Sequence, residues 1–252
     1  VIYSQWRKDL DRVEAQLTTQ RAIKVTRQPA MKKPIELDPL AAKLLDRLSG
    51  KPECAEIVLG GYFALKHYLD YRTTHDIDAW WRTRASQETE RAVEEAMRSV
   101  GMEEGLEFAR RAFGDTVSFE LLRDKNRVFS FQIAVRSIEL EPPVASPWPP
   151  ILIETLADNI GAKMNALVDR GAPRDFADIK QLADAGLVTV QQCWNLWLKK
   201  NRQPDASGAK EKVRLHLTAL QSRRPLDRIA DAAQRQRADQ TRRWFDTEFL
   251  KP

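Results

Sequence analysis

Residues 57–62 read Ile57-Val58-Leu59-Gly60-Gly61-Tyr62, and residues 72–81 read Arg72-Thr73-Thr74-His75-Asp76-Ile77-Asp78-Ala79-Trp80-Trp81. The β-branched and apolar run from Ile57 to Leu59, stopped by two glycines, predicts a buried strand ending in a tight turn. Ala64, Leu65, Tyr68 and Leu69 then recur at helical spacing, so strand, glycine turn and helix succeed one another closely. Glycines at such a junction let backbone N–H groups approach a phosphate, and the helix dipole favours negative charge, which predicts an anion site at Gly60 and Gly61. A second strand begins at the carboxylates. Because side chains alternate along a strand, Asp76 and Asp78 share one face while Ile77 points into the core. Two ionised carboxylates held together repel, and a divalent cation or a proton between them relieves the repulsion; an all-oxygen site suits magnesium better than zinc. The competing reading makes Asp76 a cap and Asp78 a solvent-facing side chain, and the glycine turn upstream weighs against it.

Working outward in both directions, the chain of 252 residues, 42% hydrophobic, has enough apolar side chains for one substantial core or two modest ones. No apolar run approaches the roughly 18 to 20 residues needed to cross a bilayer, and the N-terminus lacks a signal-peptide pattern, so a soluble cytoplasmic protein without membrane contact is expected. Cys54 and Cys193 are too few and too isolated for a disulfide framework or a zinc site. His67, His75 and His216 match neither a catalytic triad nor a zinc motif. The net charge of +5 is unevenly spread: residues 199–252 hold 14 Lys and Arg against 7 Asp and Glu. Such a block attracts phosphate backbones or simply forms a solvated face.

Upstream, Trp6, Leu10, Val13 and Leu17 predict an amphipathic helix over 5–18, and a proline-bearing basic link sets residues 1–37 apart as a helical appendage. Asp38 as N-cap, Pro39 at the first helical position and Gly50 beyond the end delimit the next helix. Downstream, Ser86 with Glu88 and Glu90 opens a helix ending at Gly101. Val117, Phe119 and Leu121, then Phe129, Phe131 and Ile133, alternate around Asp124-Lys125-Asn126 and predict a hairpin extending the sheet. Five prolines between Glu141 and Pro150 mark a boundary, which gives an α/β domain over 38–145 and a helical domain with a basic tail over 146–252. In the second of these, Ile153, Leu156, Ile160, Met164 and Leu167 form one helical stripe with Lys163 beside it. Gly171 ends that helix, Pro173 starts another, and Asp175 and Asp178 fall on its first turn. Trp194 and Trp197 are assigned to helix packing, and a last helix with Arg235, Arg237, Arg242 and Arg243 to one wall of an RNA or nucleotide cleft. The fold class is α+β: a small mixed sheet flanked by helices, followed by a helical C-terminal domain.

Gly60-Gly61, a helix, then Arg72-Thr-Thr-His-Asp76-Ile-Asp78 resembles the first motif of polymerase-beta-like nucleotidyltransferases, in the version found in the AbiEii/AbiGii toxin branch. Lys163-Met-Asn-Ala-Leu-Val-Asp-Arg170 followed by Arg174-Asp-Phe-Ala-Asp-Ile179 resembles that branch's later motifs. The resemblance implies Asp76 and Asp78 as catalytic metal ligands, Lys163 on nucleotide phosphates, and Asp175 or Asp178 orienting Lys163 or holding substrate. It also implies nucleotide contacts at Gly60, Gly61, Arg72, Thr74 and Asp178. Two departures stand out. Tyr62 replaces the Ser or Thr that comes after the glycines in many members, and Phe131-Gln132-Ile133 lacks the third carboxylate common on that strand. Glu120, on the preceding strand, can substitute if its side chain faces the site, but it reads as a solvent-exposed hairpin side chain, so the base is unassigned.

The resemblance further implies a magnesium-dependent transferase moving an NMP from an NTP to a hydroxyl on a tRNA end or a protein. A toxin-like role with a cognate antitoxin is implied as well. The competing class is a fold-retaining module that binds nucleotide or nucleic acid without transfer, which Tyr62 and Gln132 favour. A helical interaction protein with incidental Asp76 and Asp78 leaves both ordered motifs unexplained.

Overall fold

The computed structural model describes Met31, Pro34, residues 36–135 and residues 138–251. The helix expected over 5–18 lies outside the described residues. Lys33–Pro252 forms one compact unit. It begins with helix α1 (Pro39–Leu48), whose N-terminus is closed by Asp38 Oδ1 accepting from Leu40 N–H at 2.8 Å and Ala41 N–H at 3.2 Å. Strand β1 (Ile57–Gly60) is buried throughout and runs into α2 (Gly61–Leu65). This helix is one turn shorter than the Ala64 to Leu69 spacing predicts. The Tyr62 hydroxyl accepts from the N–H groups of Tyr71 at 3.1 Å and Arg72 at 2.8 Å, folding the chain back toward the helix start.

Strand β2 (Asp76–Trp81) alternates half-buried and buried residues, as the diacid reading requires. Helix α3 (Gln87–Glu104) is capped by Ser86 and continues past Gly101, the predicted stop, to Gly105 at φ 65°. Gly101 stays inside the helix because the sheet lies close: a Cβ there would sit 3.0 Å from Leu121 Cδ2. Strands β3 (Glu107–Phe113), β4 (Thr116–Arg123) and β5 (Asn126–Ala134) form a meander, of which the sequence pattern predicts only the β4–β5 hairpin. Short strands β6 (Val144–Ala145) and β7 (Leu152–Ile153) come next, so the chain flanking the proline-rich segment adds two strands to the sheet. Helices α4 (Leu156–Asp169), α5 (Pro173–Asp184), α6 (Val190–Asn201), α7 (Ser207–Arg223) and α8 (Ala232–Trp244) complete the unit.

The sheet order is β3-β4-β5-β2-β1-β7-β6. β2 lies antiparallel to β1 and parallel to β5, and β1 is parallel to β7. Ile77, Ala79 and Trp81 join Phe119, Leu121, Phe129, Phe131 and Ile133 in the buried core. The opposite face carries Asp76, Asp78 and Trp80. A second cluster, around Leu156, Met164, Phe176, Ile179, Trp194, Phe245 and Phe249, includes Tyr62 and Leu65 and so ties the helices to the glycine turn. Trp194 lies 5.1 Å from Phe249 and 6.3 Å from Trp197 between ring centroids, the helix packing expected of the tryptophan stripe. Cys54 and Cys193 are buried free thiols. No helix among the described residues is long and apolar enough to cross a membrane.

Candidate active site

The glycine pair is explained by what crosses it. Gly60 is the register partner of Asp78, and a Cβ on Gly60 would lie 2.2 Å from Trp80 Nε1. Gly61 adopts φ +60°, and a Cβ there would lie 2.1 Å from Asp78 Oδ2. Side chains of β2 therefore lie over the turn where only glycine leaves room. The Gly61 N–H, expected to meet a phosphate, donates instead to Glu154 Oε1 at 3.1 Å. Glu154 is 1% exposed and also accepts from Trp80 Nε1 at 3.0 Å and Asn159 Nδ2 at 2.6 Å. This carboxylate braces the turn against β2 and α4, and the sequence motifs do not include it. Its one signal in the sequence is an acid between the apolar Ile153 and the helix cap Thr155.

Asp76 and Asp78 stand on the same face of β2, and Thr74 Oγ1 donates to Asp76 Oδ1. Burial, and then the neighbouring Asp76, push the Asp78 carboxyl above the usual carboxylate range, while Lys163, Arg174 and Arg170 act in the opposite sense. Two hard oxygen donors on one strand face, the charge of Asp76 opposing that of Asp78, are the chemistry of a divalent cation site. Among the described residues no group of three or more His, Cys, Asp or Glu is placed to hold a metal ion.

Lys163 Nζ is 2.7 Å from Asp178 Oδ2, and Asp178 is fully buried. The same carboxylate accepts from Arg72 Nε at 3.2 Å and from the Tyr71 hydroxyl. Burial by itself raises the Asp178 carboxyl, but Lys163 and Arg72 outweigh it and hold it below the ordinary range. Asp178 thus orients Lys163. Asp175 does not touch Lys163: it accepts from Arg170 Nε and Nη2, both at 2.9 Å, and from Ala172 N–H at 3.0 Å, fixing the start of α5. Arg170 in turn is one of the cations acting on Asp78.

Tyr62 does not stand in for a phosphate-binding hydroxyl. Its OH is used by the 71–72 backbone, and its ring lies 3.6 Å under the Arg72 guanidinium. Arg72 and Thr74 also line a cavity of about 380 Å³ with Asp38, Lys66 and His75.

Across the sheet, β5 places Ser130 beside Asp76 and Gln132 beside Asp78, and β4 places Glu120 beside Ser130. Glu120 is therefore on the diacid's face, and at 6% exposure it is not the solvent-facing residue expected from the hairpin. Arg111 Nε reaches it at 3.1 Å, Arg127 Nη1 at 3.8 Å and Ser118 Oγ at 3.3 Å. In the C-terminal block, Arg242 is buried and donates to the Arg224 carbonyl at 2.6 Å, and Arg243 pairs with Asp239 at 2.9 Å. Arg242 is thus held within the chain, while the Arg243 side chain is 76% exposed.

The family described as nucleotidyl transferase AbiEii toxin, type IV TA system, matches residues 43–247. No curated protein sequence matches. Among solved structures, the Megavirus polyadenylate synthase aligns at 11% identity over 94% of this chain and 55% of its own, with a TM-score of 0.35. The chain thus spans about half the length of that protein.

Proposed function

Since the chain belongs to the AbiEii nucleotidyltransferase toxin family, we propose that it moves a nucleoside monophosphate from a nucleoside triphosphate to an acceptor hydroxyl, using a divalent cation, magnesium by donor chemistry. The observation that carries this reading is the paired Asp76 and Asp78 on one strand face, with Lys163, paired to Asp178, among the cations that favour the ionised form of Asp78.

Asp76 and Asp78 would hold the cation, whose charge neutralises the triphosphate and polarises its α-phosphorus. Lys163 supplies a fixed positive charge to the phosphates; its ammonium is paired with Asp178, and its side chain is 11% exposed. Arg72, stacked on Tyr62 and tied to Asp178, adds a second cation whose position does not depend on substrate. The acceptor oxygen bonds the α-phosphorus as the bond to pyrophosphate breaks, and the hydroxyl proton passes to solvent. Most of the catalysis on this reading is placement and charge, which rigid elements supply. The acceptor is an RNA end or a protein hydroxyl, and the family's toxin description supports growth arrest relieved by an antitoxin.

Gln132, at the register position beside Asp78, favours the second reading, a nucleotide-binding domain without transfer. One assay decides between them. The protein is incubated with α-labelled nucleoside triphosphates, magnesium, and either total tRNA or protein extract, alongside Asp76→Asn and Asp78→Asn. Transfer that falls at least about 100-fold in both variants is expected. Absence of transfer with every nucleotide and both acceptors gives the second reading, and transfer surviving both substitutions removes the diacid from the site.

A further inference from the structure

The catalytic face of the sheet continues beyond the diacid into a row the family motifs do not include. From Asp76 the register passes to Ser130 on β5 and Glu120 on β4, in steps of about 4.8 Å. Glu120 is a buried carboxylate bracketed by two arginines, and their side chains are 64% and 53% exposed at Arg111 and Arg127. Phe113, two residues along β3 from Arg111 and so on the same face, is 56% exposed. Ser130 Oγ, between the two acids, is buried without a hydrogen-bond partner among the described residues.

In-line displacement requires the attacking hydroxyl and the departing pyrophosphate to lie on opposite sides of the α-phosphorus. Lys163, Asp178 and Arg72 are linked to Tyr62, in the α2 turn that follows β1, and so mark the β1 side of β2 as the side of the leaving phosphates. In the sheet order, β5, β4 and β3 lie on the other side of β2. The acceptor therefore enters over Ser130 and Glu120.

We propose that Glu120 is a positioning residue for an RNA acceptor: it holds Arg111 and Arg127 on the catalytic face, where they grip backbone phosphates of a strand whose terminal hydroxyl lies at Asp76. Two exposed guanidiniums held by one buried acid offer N–H donors at fixed places, which suits phosphates, and Phe113 offers a face on which a base stacks. The inference rests on the transferase reading for the place of the hydroxyl.

The test uses the full chain, a short fluorescent single-stranded RNA, and titration over a range of salt, for wild type, the double variant Arg111→Ala/Arg127→Ala, and Glu120→Gln. Removing both arginines leaves the buried Glu120 carboxylate without its cations, so melting temperatures are recorded beside wild type and the same titration is run on the triple variant Arg111→Ala/Arg127→Ala/Glu120→Gln, which removes that charge. The expected result is RNA binding roughly 10-fold weaker in the double variant, with the logarithmic salt slope reduced by about 1.4, the release of two phosphate contacts on a single strand. Glu120→Gln raises the RNA KM while the nucleoside triphosphate KM is unchanged, a split that a purely structural ion pair does not produce. Wild type that binds no RNA, an unchanged salt slope in the double variant, or transfer to protein that ignores both arginines would each overturn the proposal. Arginine-dependent RNA binding without label transfer from any triphosphate would instead count against the transferase reading.

Discussion

Gly61→Ala is the sharpest perturbation of the site, because its effect can be divided between backbone and side chain. Gly61 sits at φ +60°, where an added Cβ costs roughly 1–2 kcal/mol for any L residue. The Cβ would also lie 2.1 Å from Asp78 Oδ2 and 2.7 Å from Asp78 Cβ. Turning the carboxylate clears the first contact but not the second. To reach an ordinary carbon–carbon separation of about 3.5–4.0 Å the turn or β2 must move by roughly 1 Å, at an overpacking cost of about 1–3 kcal/mol. The total is roughly 2–5 kcal/mol, or roughly 5–20 °C in melting temperature for a chain of this size. A displacement near 1 Å at the carboxylate that would hold the cation costs roughly 100-fold in transfer. Gly105→Ala is the internal control: its φ is +65°, but nothing lies within 4 Å of the added Cβ, so it meets only the backbone term. The assay is label transfer from an α-labelled triphosphate, with calorimetric unfolding of both variants. Should Gly61→Ala and Gly105→Ala lose the same stability and keep the same activity, the turn is not shaped by Asp78 and the account of the glycines is wrong.

Asp178→Asn removes the shared counter-ion of Lys163 and Arg72 at a fully buried position, and should destabilise by roughly 3–5 kcal/mol at neutral pH. Because the two cations depress the folded carboxyl, its stabilisation is complete above the unfolded value near about 4 and is lost as pH falls through the lower folded value. The gap between wild type and Asp178→Asn should therefore close only in acid below about pH 4, as read by urea unfolding across pH; equal stability at pH 7 would contradict the assignment. Tyr62→Phe leaves the N–H groups of Tyr71 and Arg72 without their acceptor, at about 1–3 kcal/mol for each donor that stays buried. It should also raise the KM for nucleoside triphosphate, since Arg72 loses its fixed approach, whereas a Tyr62 hydroxyl with no part in the loop would leave both quantities unchanged.

How far the molecule is legible in its sequence depends on the distance over which each interaction is encoded. The diacid, the caps at Asp38 and Ser86 and the Gly171-to-Pro173 junction are local patterns, and the structure has them where periodicity and capping rules put them. Gly101 fails as a helix stop because its neighbour Leu121 comes from another element, and a glycine needed for close packing looks the same in sequence as one needed for a turn. Strand β3 is hidden for a related reason: as an edge strand carrying Arg110 and Arg111, it has no buried face along most of its length to produce alternation.

The two acids outside the sequence motifs, Glu154 and Glu120, show the same limit at the site itself. Each acts on groups of other elements: Glu154 on Gly61 and Trp80, far along the chain, and Glu120 on Arg111 of the neighbouring strand and across Ser130 toward Asp76. A buried carboxylate is costly unless charges or donors meet it, so each is a commitment of the fold rather than an accident of composition. Register decides what they face. Shifting β4 by one residue against β5 would turn Glu120 into the core and Phe119 onto the diacid's face, and the packing of Phe119 and Leu121 beneath the sheet opposes it. The hydrophobic core thus sets which charges reach the candidate active site, and the meander that sequence alone presents as a plain hairpin becomes the surface along which an acceptor can be held.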